Sequence, residues 1–261
     1  MKIAKHICFY YQEDRLKYLK VAIDRTKEYK HETDIFIHTN IRPRDLAKKL
    51  NDHEIKSGNN NIDIIGHDMK NEHGFFLTWK PRKLIKQQLE EDVYDTYMYT
   101  EDDIEVTNDN IEYWSCHYDS LISKNMNLGF IRTEINDLTG VEYWTDSTKD
   151  NIRNNIIQNN LLKTDIYYCA FWIYCKKYTQ KLIDNIKQPR GLPMLREKAA
   201  VGLNTFAIDN SEPKFFEKTC IALSGNSIDT RCKVRHLPNN YINHNMFCHI
   251  PCSEILKSVV F

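Results

Sequence analysis

The chain has 261 residues, of which 41% are hydrophobic and 28% are charged. These values indicate a folded globular protein that can bury a core without disulfides as staples. Its 36 Lys and Arg residues balance 36 Asp and Glu residues, so there is no basic surplus of the kind that nucleic-acid-binding proteins usually carry. The N-terminus lacks signal-peptide features, and no stretch approaches the roughly 18 apolar residues of a membrane span. We therefore expect no nucleic-acid partner, no transmembrane segment and a cytoplasmic location, in a bacterium or, for a virus-encoded protein, in the host cell.

The first half alternates strand-like and helix-like patterns. Apolar runs at 7–11, 34–39, 62–65 and 96–100 predict four strands, and the segments between them carry apolar residues at helical spacing. A β-α-β-α order predicts an α/β fold with a Rossmann-type, mostly parallel sheet and helices on both faces. We expect 96–100 to be an interior strand.

The second half is less regular. Strands are predicted at 128–132, 141–144 and 167–175, and helices at 151–162, 176–186 and 196–206. We find no internal repeat and no linker rich in Gly, Pro or Ser. The simplest interpretation is one domain over residues 1–261.

Three adjacent acidic residues, Glu101, Asp102 and Asp103, follow the predicted strand 96–100. Ligands of open α/β sheets bind outside the carboxyl ends of the strands. Carboxylates placed together at such an end repel one another, which favours a cation, and hard oxygen ligands suit Mg²⁺ or Mn²⁺. The alternative is an acidic loop that precedes a helix beginning near Asp109.

Four segments together carry a resemblance to a known family. They are HGFFLTWKPR at 73–82, YMYTEDDI at 97–104, REKAAVG at 196–202 and HLPNNY at 236–241. In this order they resemble the LTWxxR segment, the YxEDDI strand end, the acceptor-side helix and the C-terminal histidine segment of a branch of the GT-A glycosyltransferases.

The resemblance implies a GT-A fold with a DxD-type motif. It implies transfer of a sugar from a nucleoside diphosphate sugar to a hydroxyl acceptor, a glycan or protein-linked sugar, with Mn²⁺ or Mg²⁺ as cofactor. About residues 1–125 would bind the nucleotide sugar and about 126–261 the acceptor.

The resemblance also implies roles for individual residues. Asp103 would bind the metal directly, and Glu101 would contact the metal through water or hold the sugar or ribose. His236 would be a further metal ligand, with His244 as the alternative; a structural role for a lone histidine stays open. Because the motif is EDD rather than a strict DxD, either Glu101 or Asp102 can be the first acidic partner.

The donor would meet further residues at strand and helix ends. Lys80 and Arg82 flank a proline at a predicted helix start, where phosphate could be held, although a solvated basic turn explains them equally well. Tyr10 and Tyr11 end the first strand, where a base or ribose often lies, and plain packing is the alternative. Asp102 is counted with these nucleotide-sugar-binding candidates.

The acceptor side offers one candidate base and two aromatic residues. An inverting enzyme needs a carboxylate to take the acceptor hydroxyl proton, and the resemblance places Glu197 in that role. The alternative is a first-turn glutamate that complements the helix dipole. Trp144 and Trp172 could stack on sugar faces, or could simply be core residues of strands.

Two other functions compete with sugar transfer. A metal-dependent nucleotidyltransferase or phosphohydrolase would usually need a second carboxylate cluster, whereas Asp63, Asp68 and Asp137 are scattered in the sequence. The chain also lacks the GxxxxGK[ST] phosphate loop. A non-catalytic sugar-binding module would not need an acidic triplet at a strand end.

Overall fold

The structure is a computed structural model that describes residues 1–50, 61–148, 156–165, 168–242, 244, 247 and 250–258. The strands are β1 Lys2–Phe9, β2 Glu32–Thr39, β3 Ile62–Gly66, β4 Thr96–Glu101, β5 Ile104–Glu105, β6 Met126–Leu128, β7 Ile131–Ile135, β8 Glu142–Trp144, β9 Ile156–Gln158, β10 Leu161–Thr164, β11 Phe171–Cys175, β12 Lys218–Ser224, β13 Ser227–Ile228, β14 Lys233–His236 and β15 Ile250–Pro251. The α-helices are α1 Leu16–Lys27, α2 Pro43–Leu50, α3 Pro81–Glu91, α4 Asn108–Ile122, α5 Lys176–Asn185 and α6 Leu195–Ala200.

The chain divides into two compact units, and each unit is made of two separate segments. The first unit comprises Met1–Ile104 and Ala170–Pro213, and the second comprises Glu105–Cys169 and Lys214–Phe261. The proposed division of labour between residues 1–125 and 126–261 within one domain stays a prediction. Over the described part of the chain, no helix is both long and apolar enough to cross a membrane.

The first unit is built on a five-stranded sheet in the order β11-β4-β1-β2-β3. Strands β1 to β4 are parallel, and β11 joins β4 as an antiparallel edge. This arrangement confirms the predicted mostly parallel sheet and places Thr96–Glu101 inside it, between β1 and β11.

Helices cover both faces of this sheet. Neighbouring side chains on a strand point to opposite faces, and Lys5 and His6 are such neighbours on β1. The Lys5 ammonium donates to the Ala22 carbonyl of α1 at 3.3 Å, whereas His6 Nε2 lies 3.1 Å from the Gln88 Oε1 of α3. The α1 face carries the apolar core, where Ile7 and Ile37 are fully buried.

Buried polar side chains lie on both faces. On the α1 side, the Lys5 ammonium is fully buried and also donates to Thr26 and Tyr29, at 2.7 and 3.2 Å. On the α3 side, three histidines form a row across the strands. His6 Nδ1 lies 3.0 Å from His38 Nε2, and His38 Nδ1 lies 3.0 Å from His67 Nε2.

The second unit contains two further sheets, which also have five strands each. One has the order β13-β12-β10-β9, with β6 pairing to β12, and the other has the order β15-β8-β7-β14-β5. Helix α4 begins with a capping box in which Thr107 and Asn110 bond each other's backbone. The Asn110 amide also donates to the Arg231 and Lys233 carbonyls at 2.7 Å, which ties the helix start to the chain near β14.

Two predicted helices are different in the structure. Residues 151–155 lie outside the described residues, but 156–158 and 161–164 are the antiparallel strands β9 and β10 rather than a helix. Asn159 and Asn160 between them have left-handed φ values of 53° and 59°, which is the hairpin-turn conformation that Asn tolerates. The helix predicted at 196–206 ends at Ala200, because Gly202 has a φ of 59° and a 3-10 turn follows it.

Candidate functional site

A cavity of about 530 Å³ in the first unit opens beyond the carboxyl ends of β1 and β4. This is the edge of a parallel sheet where α/β proteins bind ligands. Its lining combines aromatic, basic and acidic groups from four short stretches of chain: Cys8, Tyr10, Gln12, Arg15, Glu72, His73, Gly74, Phe75, Leu77, Thr78, Glu101, Asp102 and Arg196.

Arg15 joins two carboxylates of the acidic triplet. Its guanidinium donates to both oxygens of Asp102, at 3.0 and 2.9 Å, and to Asp103 Oδ2 at 2.8 Å. The two aspartates are nearly buried, at 4% and 6% exposed, while the Arg15 side chain is 28% exposed. Burial raises the pKa of Asp102, the charge of Asp103 raises it further, and Arg15 opposes both effects.

Glu101 is held at the end of β4 and faces a second arginine. Its backbone N–H donates to the Ala170 carbonyl at 3.2 Å, which fixes the strand end against the start of β11. The Arg196 Nε of α6 lies 3.9 Å from Glu101 Oε1, and its guanidinium carbon lies 5.3 Å from the centre of the Phe75 ring. Arg196 therefore lies between an acidic and an aromatic part of the cavity wall.

Two half-exposed aromatic residues line the same cavity. Tyr10 follows β1 and is 42% exposed, and Phe75 belongs to the 3-10 turn Gly74–Trp79 and is 41% exposed. His73 precedes this turn; its Nδ1 accepts from the Phe75 N–H at 3.3 Å, and the two rings lie 4.5 Å apart. The exposed rings give the cavity apolar surface beside its charged groups.

The acidic triplet has the chemistry of a divalent-cation site. Within the described residues, no three His, Cys, Asp or Glu side chains are grouped so that they could hold a metal ion. Mg²⁺-type sites, however, often use one or two carboxylates and take the remaining ligands from water and phosphate oxygens. Asp103 with Glu101 or Asp102 fits that donor set, with Arg15 sharing the carboxylates, and metal ligation stays a prediction.

Both candidate histidine ligands belong to the second unit. His236 Nδ1 lies 2.5 Å from Glu134 Oε1, and Glu134 Oε2 accepts from the Tyr241 N–H at 2.8 Å. The His244 ring lies 5.0 Å from the ring of Phe247. Glu134, which is fully buried, fixes the orientation of the His236 ring, and sequence reasoning did not single it out.

The remaining donor-side candidates lie outside the cavity lining. Lys80 forms an ion pair with Glu72 at 2.6 Å. Arg82 donates to the Leu182 and Ile186 carbonyls at the end of α5 and packs on Trp79, and burial lowers its pKa to about 9. The Tyr11 hydroxyl donates to Glu13. A phosphate role for Arg82 is disfavoured, because its half-buried guanidinium already binds backbone carbonyls.

The acceptor-side candidates fall in different surroundings. Glu197 is half-buried and directly follows Arg196 on α6, just outside the cavity lining. Trp172 is 6% exposed, stacks between Tyr99 and Tyr174, and donates from its indole to the Ala199 carbonyl. Trp144, in the second unit, is fully buried. Neither indole offers an open face, so the core interpretation of both tryptophans is favoured.

The structure brings Tyr10, Glu101 and Asp102 to one cavity and adds residues that the sequence did not reveal. Arg15 and Arg196 are the main additions. Arg196 stands in the segment 196–202 that carries the resemblance, next to Glu197, and that position was a usable signal. For Arg15, 87 residues from Asp102, the sequence holds no comparable sign.

No family model and no curated protein matches this chain. Among solved structures, S. aureus TarS 1–349 is 11% identical, with a TM-score of 0.44 over 77% of this chain and 55% of that one. The same fragment in complex with UDP-GlcNAc is 10% identical, with a TM-score of 0.45 over 78% and 54%. A crystal structure of a longer S. aureus TarS chain is 12% identical, with a TM-score of 0.41 over 78% of this chain and 34% of that one.

The chain thus spans about half of the 1–349 fragment and a third of the longer TarS chain. Identities and TM-scores this low establish neither family nor function.

Proposed function

We propose that this chain is a GT-A-type glycosyltransferase that binds a nucleoside diphosphate sugar in the cavity of the first unit. The observation that carries the proposal is the composition of the cavity wall. Aromatic rings, guanidinium groups and carboxylates meet there beyond the ends of β1 and β4. A nucleoside diphosphate sugar has the complementary parts: a planar base, two phosphates and several hydroxyl groups.

Each part of such a donor has a chemical counterpart in the wall. The Tyr10 ring suits a base, the carboxylates of Glu101 and Asp102 suit ribose or sugar hydroxyls, and the Arg196 guanidinium suits phosphate oxygens. The volume of about 530 Å³ lies within the usual range of small-molecule sites.

A divalent ion, Mn²⁺ or Mg²⁺, is part of the proposal. Asp103 would hold it together with Glu101 or Asp102, and His236 stays the further candidate. When bound, the ion would neutralise the charge that develops on the departing diphosphate. The chain's own groups contribute a preorganised acidic edge, because Arg15 and the β4 backbone fix the carboxylates before any ligand arrives.

Glu197 is the proposed base of an inverting transfer. The acceptor oxygen attacks the anomeric carbon, the bond from that carbon to the diphosphate oxygen breaks, and the acceptor proton passes to the Glu197 carboxylate. Its place beside Arg196, which lines the donor cavity, supports this role.

The test is thermal unfolding and calorimetric titration with UDP, GDP, CDP and ADP, each with Mn²⁺ and with EDTA. We expect one or more nucleotides to raise the unfolding temperature by about 5 °C in Mn²⁺, because ligand at 100 times its Kd adds about 2.7 kcal/mol to stability. Arg196→Gln should weaken binding, whereas Arg25→Gln, a change in an exposed pair with Glu28, should not.

The same samples, screened with sugar-linked nucleotides, identify the donor and separate the competing functions. Sugar transfer or slow hydrolysis at the anomeric carbon releases the nucleoside diphosphate, whereas a phosphohydrolase that cleaves the diphosphate bridge releases nucleoside monophosphate and sugar phosphate. If no nucleotide stabilises the protein under either condition, the proposed function is wrong.

A further inference from the structure

We infer that Gly74 is a positioning residue for the donor: the missing side chain at this position seats the Tyr10 ring where the base of a nucleoside diphosphate binds. This inference rests on the proposed function and adds a residue to it. It concerns the recognition of the base rather than the transfer of the sugar.

The geometry shows why position 74 has no side chain. A Cβ built on Gly74 would lie 2.9 Å from Tyr10 Cε2, 3.1 Å from Cδ2 and 3.3 Å from Cζ. Real Cβ atoms do not approach carbon atoms at the shortest of these distances. The Tyr10 ring therefore packs directly on the backbone of residue 74 along one side.

Glycine is required here for space and not for backbone conformation. Gly74 begins the 3-10 turn Gly74–Trp79 and does not adopt the left-handed φ that Gly140, Gly202 and Gly225 have. An alanine could follow the same backbone path. The strain of a Gly74→Ala variant would fall on its neighbour, the Tyr10 ring.

Tyr10 is the neighbour that can yield. It is 42% exposed, it follows the end of β1, and the atoms close to Gly74 belong to the outer part of its side chain. The other wall residue of the turn, Phe75, is tied to His73 by its backbone N–H and by ring contact. We therefore expect Gly74→Ala to displace Tyr10 while Phe75 and the fold stay in place.

The contact between Gly74 and Tyr10 affects how a ligand can bind. Because the Gly74 backbone covers one side of Tyr10, a planar base is left with the part of the ring that faces the cavity. The backbone contact also restricts how far the ring can move, so less conformational freedom is lost when a base packs on it. An alanine at this position would remove both advantages.

The experiment is calorimetric titration at fixed Mn²⁺ with whichever of UDP, GDP, CDP and ADP the wild type binds most tightly. Gly74→Ala should weaken binding of that nucleotide about tenfold, in line with the loss of one aromatic contact. Inorganic pyrophosphate, which has no base, should bind both proteins alike. In steady-state kinetics the change should appear in the KM for the donor, with kcat within about twofold, because the base is remote from the reacting atoms.

Gly191→Ala is the matched control. Position 191 is also in the first unit, it has no left-handed φ, and a Cβ there would meet only Pro193 Cδ, at 3.4 Å. This variant should bind the nucleotide as the wild type does.

A double-mutant cycle separates positioning through Tyr10 from a general structural effect. Tyr10→Ala should weaken nucleotide binding by itself, and adding Gly74→Ala to it should change nothing further, since no ring remains to be displaced. An additive loss in the double mutant would overturn the inference, as would wild-type affinity in either single mutant.

The remaining outcomes are also decisive. If Gly74→Ala does not fold, Gly74 is needed for the fold itself and not for the position of the Tyr10 ring, and the inference is overturned. A wild type that binds no nucleoside diphosphate overturns the proposed function, whereas equal binding by the wild type and by Gly74→Ala overturns only the role of Gly74.

Discussion

Each of the two units buries a cluster of opposite charges, and the clusters differ in what they face. In the first unit, Arg15 binds Asp102 and Asp103, and both Arg15 and Asp102 line a cavity. In the second, Arg132 binds both oxygens of Asp146 at 3.0 and 2.6 Å, with side chains only 5% and 11% exposed. The first cluster can be reached by a ligand through the cavity, and the second is satisfied within the protein.

The pKa values alone do not separate the two clusters. Burial raises the pKa of Asp102 and also that of Asp146, and in both cases the neighbouring arginine opposes the effect. A perturbed carboxylate therefore indicates a functional site only where it also borders a cavity. Mutations in the first cluster should affect binding and turnover, and mutations in the second should affect stability.

The largest effect is expected at Asp103. Asp103→Asn should reduce turnover by about 10³-fold, because the amide cannot replace the carboxylate that would hold the metal. The variant should also lose affinity for nucleoside diphosphate in Mn²⁺. Stability should change little, because Arg15 keeps both bonds to Asp102.

Asp24→Asn, on the exposed side of α1, is the control for this substitution. Initial rates, calorimetry and urea unfolding on both variants make the comparison. Near-normal turnover of Asp103→Asn in Mn²⁺ would show that Asp103 does not hold a catalytic metal. The Arg15–Asp102–Asp103 cluster would then no longer be a functional counterpart of the Arg132–Asp146 pair.

Glu197→Gln should separate chemistry from donor binding. The amide is nearly isosteric but cannot accept a proton, so we expect turnover to fall by about 10² to 10⁴-fold. Donor affinity should stay the same, because the cavity groups are untouched. Glu90→Gln, on the exposed face of α3, is the control. Full activity of Glu197→Gln would mean another base or a retaining reaction.

In the second unit, Arg132→Met should act on stability. Removal of one partner leaves Asp146 buried without its counter-charge, which typically costs about 3–5 kcal/mol. Adding Asp146→Leu should recover much of that loss, because no buried charge then remains. Arg25→Met, which breaks an exposed pair, should cost below about 1 kcal/mol. Urea unfolding of the wild type and the three variants measures these free energies. A loss of stability below about 1 kcal/mol in Arg132→Met would contradict the view that this ion pair is satisfied within the protein.

The smallest change in the free energy of unfolding is expected at Lys5. Its side chain is buried, and its hydrogen bonds go to a carbonyl and two hydroxyl groups and not to a carboxylate. Burial lowers its pKa to about 7 from 10.5. The folded state thus disfavours the charged form, and the resulting penalty is complete below pH 7 and disappears as the pH rises through 10.5. Each pKa unit corresponds to about 1.4 kcal/mol, and the three hydrogen bonds of the ammonium, at about 1 kcal/mol each, offset part of the penalty.

Lys5→Met should therefore stabilise the protein by about 1–2 kcal/mol at pH 6. The stability of Lys5→Met relative to the wild type should fall as the pH rises, and near pH 10 the wild type should be the more stable protein. At that pH the Lys5 amine is neutral in the folded wild type and keeps its hydrogen bonds. Urea unfolding from pH 6 to pH 10 tests this, with Lys27→Met, whose partner is the exposed Asp24, as the control. A gain that does not vary with pH would point to packing instead of charge.

The sequence predicted the fold of the first unit better than that of the second, for physical reasons. Parallel strands such as β1 and β4 are buried on both faces and appear as apolar runs, so their presence, the interior position of 96–100 and the strand end that carries Glu101 could be predicted. In the second unit, short antiparallel strands such as β9 and β10 leave weaker patterns. There the Asn159–Asn160 pair was the overlooked turn signal.

The candidate site was predictable only where its residues follow the strands. Tyr10, Glu101 and Asp102 come directly from strand ends, and they line the cavity. Arg15 depends on packing between segments 87 residues apart, which no local pattern encodes. For Trp144, Trp172 and Arg82 the sequence left a ligand contact and a structural role open, because aromatic and cationic side chains can be satisfied by packing and by carbonyl groups as well as by a ligand.

The histidine row beneath the sheet has a direction. With Gln88 Oε1 as the acceptor, the consistent arrangement has the His6 proton on Nε2 and His6 Nδ1 accepting from His38. In that arrangement His67 donates to His38 in turn, all three rings are Nε2–H tautomers, and their bond dipoles point the same way, from the β3 edge toward α3. Burial lowers the pKa of His6 to about 3 and lowers that of His38 well below its ordinary value. A proton added to Nδ1 of His67 leaves every bond of the row intact, whereas one added to His38 would set two donors against each other. The row can therefore take up a proton at His67 without losing a hydrogen bond. The direction of its bond dipoles is set by the Gln88 amide oxygen.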